Sequence, residues 1–248
     1  MTRPMTCVMP PAFRATDMQV SRVLVSALFA GVVAGLVSAL LQLMFVQPVL
    51  LHAELYESGE LVHFGGTLVS AHPELPGFNA LRDGMSILFA ALIYTGYAMI
   101  LVALMSIAEQ RGHDITPRAG MLWGLAGFVA FQFAPGLSLA PEVPGVAAAD
   151  LELRQVWWLA TVVSAGLAMW LVAFGTSSIA YGVAAILLLT PHIVGAPEPA
   201  SFTGPVPTEI GALFAARSFG VGMVSWVILG TCAGYFWTTE GTRQHATA

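Results

Sequence analysis

Pro191-His192 closes an otherwise apolar run, and this pairing is the first place where the sequence could do chemistry. A proline inside a helix removes one backbone hydrogen bond and frees the carbonyl four residues back, here that of Leu187. An imidazole beside a freed carbonyl is a ligand pair for a divalent cation. The plainer alternative is a histidine that bonds neighbouring backbone and packs. A second constellation holds His52, Glu54, Glu57 and His63, followed by His72 and Glu74. Glu54 and Glu57 stand at i, i+3 and can share a helix face. Imidazole suits cobalt, nickel, copper, zinc and iron, and carboxylate widens the range toward manganese and magnesium. The spacing is irregular, unlike a zinc-finger pattern, so a merely hydrophilic loop is the competing reading. A third stretch runs Phe131-Gln132-Phe133-Ala134-Pro135, then Pro141-Glu142-Val143-Pro144-Gly145, then Asp150 to Trp158. Asp150 and Arg154 stand at i, i+4 and can pair if the segment is helical, and Trp157-Trp158 fit an anchor at a membrane interface.

The elements that must position these groups follow from composition. The 248 residues are 57% hydrophobic and only 9% charged, with a mean hydropathy of +0.78. A soluble domain carries roughly 25% charged residues. So few charges cannot clothe a soluble surface, and such high hydrophobicity excludes a disordered chain. Six runs approach the roughly 20 apolar residues a transmembrane helix needs: Val23–Val46, Met85–Ala108, Ala119–Leu139, Val156–Phe174, Ser178–Gly195 and Gly211–Trp237. The fold class expected is all-α, a polytopic helical bundle of about six crossings. Five is the fallback, because 178–195 is short and ends at the proline. The expected organisation is a cytoplasmic tail over 1–22, one bundle over 23–237 with an external loop at 47–84, and a cytoplasmic tail over 238–248. Met18 is a candidate start of translation. A short surface helix is expected at Val49–Glu57, and a tight hairpin at Gly175–Ser177.

Charge sets the expected orientation. All nine basic residues are arginine. Six crossings with both termini inside place Arg3, Arg14, Arg22, Arg111, Arg118 and Arg243 in the cytoplasm, leaving Arg82 and Arg154 outside and Arg217 within a span. Ten of the fourteen carboxylates then fall outside. Gln42, Gln132, His192 and Arg217 are the larger polar groups inside the spans, and all four lie in the outer halves. Polar groups in lipid are costly, and together they suggest an outward-facing vestibule, with snorkelling at helix ends as the alternative. Gly31/Gly35, Gly120/Gly124 and Gly230/Gly234 are pairs at i, i+4, read as helix packing. Gly35…Gln42…Pro48 and Gly124…Gln132…Pro135 follow the same order with different spacing.

Several functions are excluded. Without lysine there is no P-loop lysine and no Schiff base. A net charge of −5 offers no basic surface for nucleic acid. Spans without Asp or Glu, and with one histidine, do not supply an intramembrane catalytic triad, so no enzyme is expected. Cys7 and Cys232 form no metal pair or disulfide framework.

These segments also carry a resemblance. The chain resembles the CbtA family, predicted cobalt transporter subunits of bacterial inner membranes. The matching pieces run in order: Leu28-Phe29-Ala30-Gly31-Val32-Val33-Ala34-Gly35, Leu41-Gln42 through Pro48, Glu54-Leu55-Tyr56-Glu57, Leu122 to Phe128, Gln132 to Pro135, Pro141 to Gly145, Arg154 to Trp158, and Pro191-His192-Ile193-Val194-Gly195-Ala196-Pro197. They cover nearly everything from Met18 to about Trp237. The resemblance implies Co2+ uptake for cobalamin synthesis, beside a small one-helix partner of the CbtB type with a histidine-bearing tail. It brings no ligand set. Many relatives have a strongly histidine-rich first external loop; here that loop holds only His52, His63 and His72.

The leading expectation is therefore a permease subunit for a divalent transition metal, Co2+ or Ni2+ as the transported ion, with no tightly bound cofactor. Its expected ligands are His192, His52, Glu54, Glu57, His63 and His72. Gln42, Gln132, Pro135, Glu142, Asp150, Arg154 and Pro191 are expected along the pathway or in its scaffold. The lipid bilayer, the small subunit and a second copy of the chain are the expected partners. The alternative is a permease or scaffold for a non-metal solute.

Overall fold

A computed structural model describes residues 11–64 and 70–247, with side chains over 18–64 and 70–243. Arg3 and Cys7 lie outside the described residues. The described residues form helices α1 (Pro11–Leu41), α2 (Gln47–Glu57), α3 (Ala80–Gln110), α4 (Pro117–Phe128), α5 (Ala134–Ser138), α6 (Leu151–Phe174), α7 (Ser178–Val194) and α8 (Thr208–Thr247). Two π-helical turns, Gln42–Val46 and Val129–Phe133, join α1 to α2 and α4 to α5 without a break. Lipid offers no partner for backbone groups, so helices are the expected solution.

The helix starts are written in the sequence. Asn79 accepts hydrogen bonds from the Leu81 and Arg82 amides. Thr116 does so from Ala119, followed by Pro117 in the first turn, where its missing N–H costs nothing. Ser177 caps α7 in the same way. Asp150 caps α6 by accepting from Glu152 and Leu153. Gly195, at φ +88°, ends α7 in a conformation that suits glycine.

Among the described residues five helical stretches are long and apolar enough to cross a bilayer: Met18–Glu57, Ala80–Gln110, Pro117–Ser138, Leu151–Phe174 and Thr208–Arg243. The expected surface helix is real, but it continues the first span through a π-turn. α7 has 17 residues, about 25 Å of helix. It lies antiparallel to α6 along nearly its whole length. Tyr181 near its start bonds the Gly175 carbonyl, Leu187 sits beside Ser164, and Pro191 sits beside Trp157. α7 therefore returns the chain from one end of the bundle to the other, and the hairpin at 175–177 is as tight as expected. With that pass included the described residues traverse the bundle six times. Arg22 of α1 meets Trp237 of α8, so the first and last helices have those two residues at a common end.

Packing follows membrane rules. Outward faces carry Leu88, Leu92, Leu159, Val163, Ile186 and Leu189, all exposed in the isolated chain and suited to lipid. The interior is rich in small residues, with Ala27, Ala30, Ala34, Ala98 and Ala233 fully or almost fully buried. Without a hydrophobic force between helices in lipid, close approach does the work. The paired glycines are the contact points. A Cβ on Gly31 or Gly35 would strike the α3 backbone at Thr95 or Ala91. One on Gly120 or Gly124 would strike the α8 backbone at Gly230 or Trp226.

Candidate functional site

The end of the bundle opposite Arg22 gathers α2, the start of α3, α5, the start of α6, the end of α7 and the start of α8. A small apolar cap holds it together: Ala53 and Tyr56 of α2 pack with Val143 and Val206 from two loops. The Pro-rich segment at 141–145 thus buries its valine against α2. Gly145 takes φ +81° there, and a Cβ would press on the Glu57 side chain at 3.2 Å.

Several expected site residues turn out to build this end. Arg154 pairs with Glu142 at 3.0 Å, not with Asp150. The i, i+4 expectation fails because the Asp150 carboxylate is occupied capping α6, while the Pro-rich loop brings Glu142 into reach. Asp83 is almost fully buried and accepts from Gln47 Nε2 at 2.8 Å, the Asn79 amide at 2.9 Å and Arg82 Nε at 2.7 Å. It ties α2 to the start of α3. Trp157 is buried, contrary to an interfacial anchor, because α7 lies over it and its Nε1 donates to the Pro191 carbonyl at 3.3 Å.

The four intramembrane polar residues lie toward this end but engage different partners. Gln42 donates to Ser38 within its own helix. Arg217 Nη1 donates at 3.0 Å to the carbonyl of Phe45, inside the first π-turn. Gln132, inside the second, donates at 3.0 Å to the Ser218 carbonyl, and its amide fills the space beside Gly222. Thus α1, α4 and α8 are stitched together at the π-turns. Such turns recur at functional sites because they release backbone groups. Proline follows each turn, as Pro48 and Pro135; lacking an N–H, it cannot continue the regular ladder. Gln-to-Pro order was the available signal, though it does not name a π-turn.

His192 stands apart from that group. Its Nδ1 lies 2.8 Å from Ser138 Oγ on α5, and its ring packs edge-on against Trp157. The Leu187 carbonyl, freed by Pro191, accepts from Ser164 Oγ at 2.6 Å. It is therefore not a ligand waiting beside the imidazole, since α6 has supplied a donor. Replacing Ser164 by alanine should leave that carbonyl unmet and lower stability by about 1–2 kcal/mol, read from detergent unfolding curves.

The loop ligands are spread out. His63 is exposed and packs edge-on against Phe64, His72 is exposed, and Glu54 and Glu57 point to solvent. His52 is half-buried on α2, beside Tyr56, and its Nε2 is buried without a hydrogen-bond partner. Among the described residues no three of His, Cys, Asp and Glu converge as a metal centre. A metal ion here would meet isolated imidazoles and scattered carboxylates.

The opposite end holds a cluster that the sequence reading missed. Arg22 grips Glu109 with two bonds of 3.0 and 3.2 Å, donates to the Trp237 carbonyl at 3.0 Å and lies 3.8 Å over that indole ring. Trp237, wholly buried, donates Nε1 to Glu109 at 2.9 Å. One charged knot therefore joins α1, α3 and α8.

No curated protein and no solved structure matches the chain. The model of one family, described as "Probable cobalt transporter subunit (CbtA)", matches residues 20–238, nearly the whole length over which the helices are built. The bundle of apolar helices and this match agree, and the chain belongs to the CbtA family of multi-pass membrane proteins.

Proposed function

We propose that the chain is the membrane subunit of a divalent-cation importer of the bacterial inner membrane, that Co2+ is its ion, and that the end bearing His52 and His192 faces outward. The family match over residues 20–238 is the observation that carries this reading. Orientation rests on the arginines. Arg22, Arg111, Arg118 and Arg243 sit at one end, which the positive-inside rule assigns to the cytoplasm.

The outer end then holds Glu54, Glu57, Glu60, Glu74, Asp150, Glu152, Glu198 and Glu209, none of them in a salt bridge. Such a surface raises the local concentration of cations. Imidazoles supply the selective step. His52 Nε2 has no partner, and His192 has Nδ1 engaged by Ser138 with Nε2 left for an ion. A hydrogen bond on one ring nitrogen orients the other as a ligand. His72 and His63 widen the capture zone, and Gln42 and Gln132 stand farther along the route inward. The word "subunit" in the family description favours a partner, and a small single-helix protein of the CbtB type is the one proposed. Cobalamin synthesis is the proposed destination of the ion.

Radiolabelled Co2+ uptake by cells lacking their own cobalt transport, expressing this chain with its partner, tests the reading. Uptake should exceed that of control cells. His52→Ala and His192→Ala should each reduce it several-fold at limiting Co2+, with protein of normal abundance and elution profile. Uptake equal to the control, with folded protein in the membrane, would sink the proposal. Unchanged uptake in one variant would remove that histidine from the route.

A further inference from the structure

A second feature lies at membrane depth on the lateral surface. α3 and α6 flank α4, and between them runs a groove of about 360 Å³. Its walls are apolar and aromatic, with Tyr97, Trp123, Phe131, Trp170, Phe174 and Trp226 among them. That volume falls in the range of small-ligand pockets, roughly 300–1,000 Å³. It is too small for a partner helix. One helical turn about 10 Å wide and 5.4 Å high occupies about 420 Å³, so the groove would take less than a turn. A single hydrocarbon chain is thin enough to enter.

The charges at the groove's mouth identify which amphiphile fits. Trp170 and Phe174 lie at the end of α6 nearest the α3–α4 loop. The Arg111 guanidinium stands 5.5 Å over the Trp170 ring, and His113 packs 4.6 Å from Phe174. Arg118 adjoins Ala119, itself a wall residue. The other arginines with described side chains are engaged. Arg22, Arg82, Arg154 and Arg243 pair with Glu109, Asp83, Glu142 and Glu240, and Arg217 bonds the Phe45 carbonyl. Among the arginines whose side chains are described, only Arg111 and Arg118 have neither a carboxylate nor a carbonyl, and both stand at this one mouth. Asp114 is the loop's own acid, exposed and in no salt bridge. Glu109 is already held by Arg22 and Trp237. Two uncompensated cations beside an apolar slot complement a phosphate joined to an acyl chain.

We propose that this groove is a binding site for an anionic phospholipid, with one acyl chain along Trp123 and Trp170 and the phosphate at Arg111 and Arg118. Basic pockets at helix ends recognise lipid headgroups through charge, and aromatic walls add contact with the chain. The site does not depend on what the protein transports. Its occupant would splint α3, α4 and α6, which touch one another little at this level.

Brominated acyl chains quench nearby tryptophans, which gives a direct test. The full-length protein is titrated in mixed micelles with brominated phosphatidylglycerol or with brominated phosphatidylcholine. The anionic lipid should reach half-quenching at a mole fraction at least three-fold lower. In the double variant Arg111→Gln/Arg118→Gln that difference should vanish. Gly166 lines the groove, and a Cβ there meets nothing within 4 Å, so Gly166→Leu should fill the slot without harming the fold and reduce quenching by both lipids. Coincident curves for the two lipids in the parent protein overturn the assignment. So does a lipid preference that survives the double substitution. Should that variant fail to fold, undiminished quenching in Gly166→Leu is the overturning result.

Discussion

Replacing Gly230 by valine is expected to abolish the folded bundle. α4 and α8 approach so closely that a Cβ on Gly230 would collide with the Gly120 carbonyl oxygen and stand 2.5 Å from the Gly124 nitrogen and 2.6 Å from its Cα. These are backbone atoms of a helix, which cannot turn aside as a side chain can. The helices must separate, and every contact of the seam from Thr116–Gly234 to Gly124–Trp226 loosens with them. In lipid, helix association rests on close packing, because the tails are as apolar as the side chains. Overpacking costs typically 1–3 kcal/mol in soluble cores; a backbone-to-backbone clash at a membrane seam should cost at least about 3 kcal/mol on that scale. The measurement is size-exclusion chromatography of detergent-extracted protein, before and after heating. Gly220→Val, on the same helix where a Cβ meets nothing within 4 Å, supplies the control and should elute like the parent. A sharp, heat-stable peak from Gly230→Val would show that the seam is not where the bundle is held.

The contrast between these glycines and the rest of the molecule explains what a reader of the sequence can see. Small residues at i, i+4 in apolar runs signal packing, and Gly31, Gly35, Gly120, Gly124, Gly230 and Gly234 all bear it out. The helical spans were legible because lipid imposes length and apolarity on each one separately. α7 was ambiguous, since 17 residues and a proline suit several fates; its antiparallel course along α6 is a tertiary fact. Interactions between distant residues left no local trace. Arg22 reads only as a topology marker, because Glu109 and Trp237 lie 87 and 215 positions away. Asp150 and Arg154 show the converse error, where a local spacing rule lost to a loop carrying Glu142. As for the expected ion ligands, irregular spacing along 47–84 gave no means of telling His52, whose Nε2 is enclosed without a partner, from His63, which is exposed.

The Arg22 knot yields the other large effect. Alanine at position 22 should lower stability by about 2 kcal/mol or more, and with it the melting temperature of the purified protein. Breaking a buried ion pair from one side typically costs 3–5 kcal/mol, because the remaining charge stays enclosed. Here the side chains are 17% and 35% exposed, so water relieves part of that penalty. Against this, Arg22 also bonds a carbonyl and stacks on Trp237, and both contacts go with it. Lysine should rescue only in part, since an ammonium keeps the charge but lacks the planar fork that spans Glu109 and covers the indole. Removing both charges with Arg22→Met/Glu109→Leu should recover much of the loss, as apolar replacements of whole ion pairs often do. Titration with sodium dodecyl sulfate in mixed micelles, followed by tryptophan fluorescence, reads all three variants on one scale. A knot that holds α1, α3 and α8 together requires the single alanine variant to be the weakest of them. If lysine matched the parent, charge alone would suffice, and the stacked, forked geometry would contribute nothing to joining the first helix to the last.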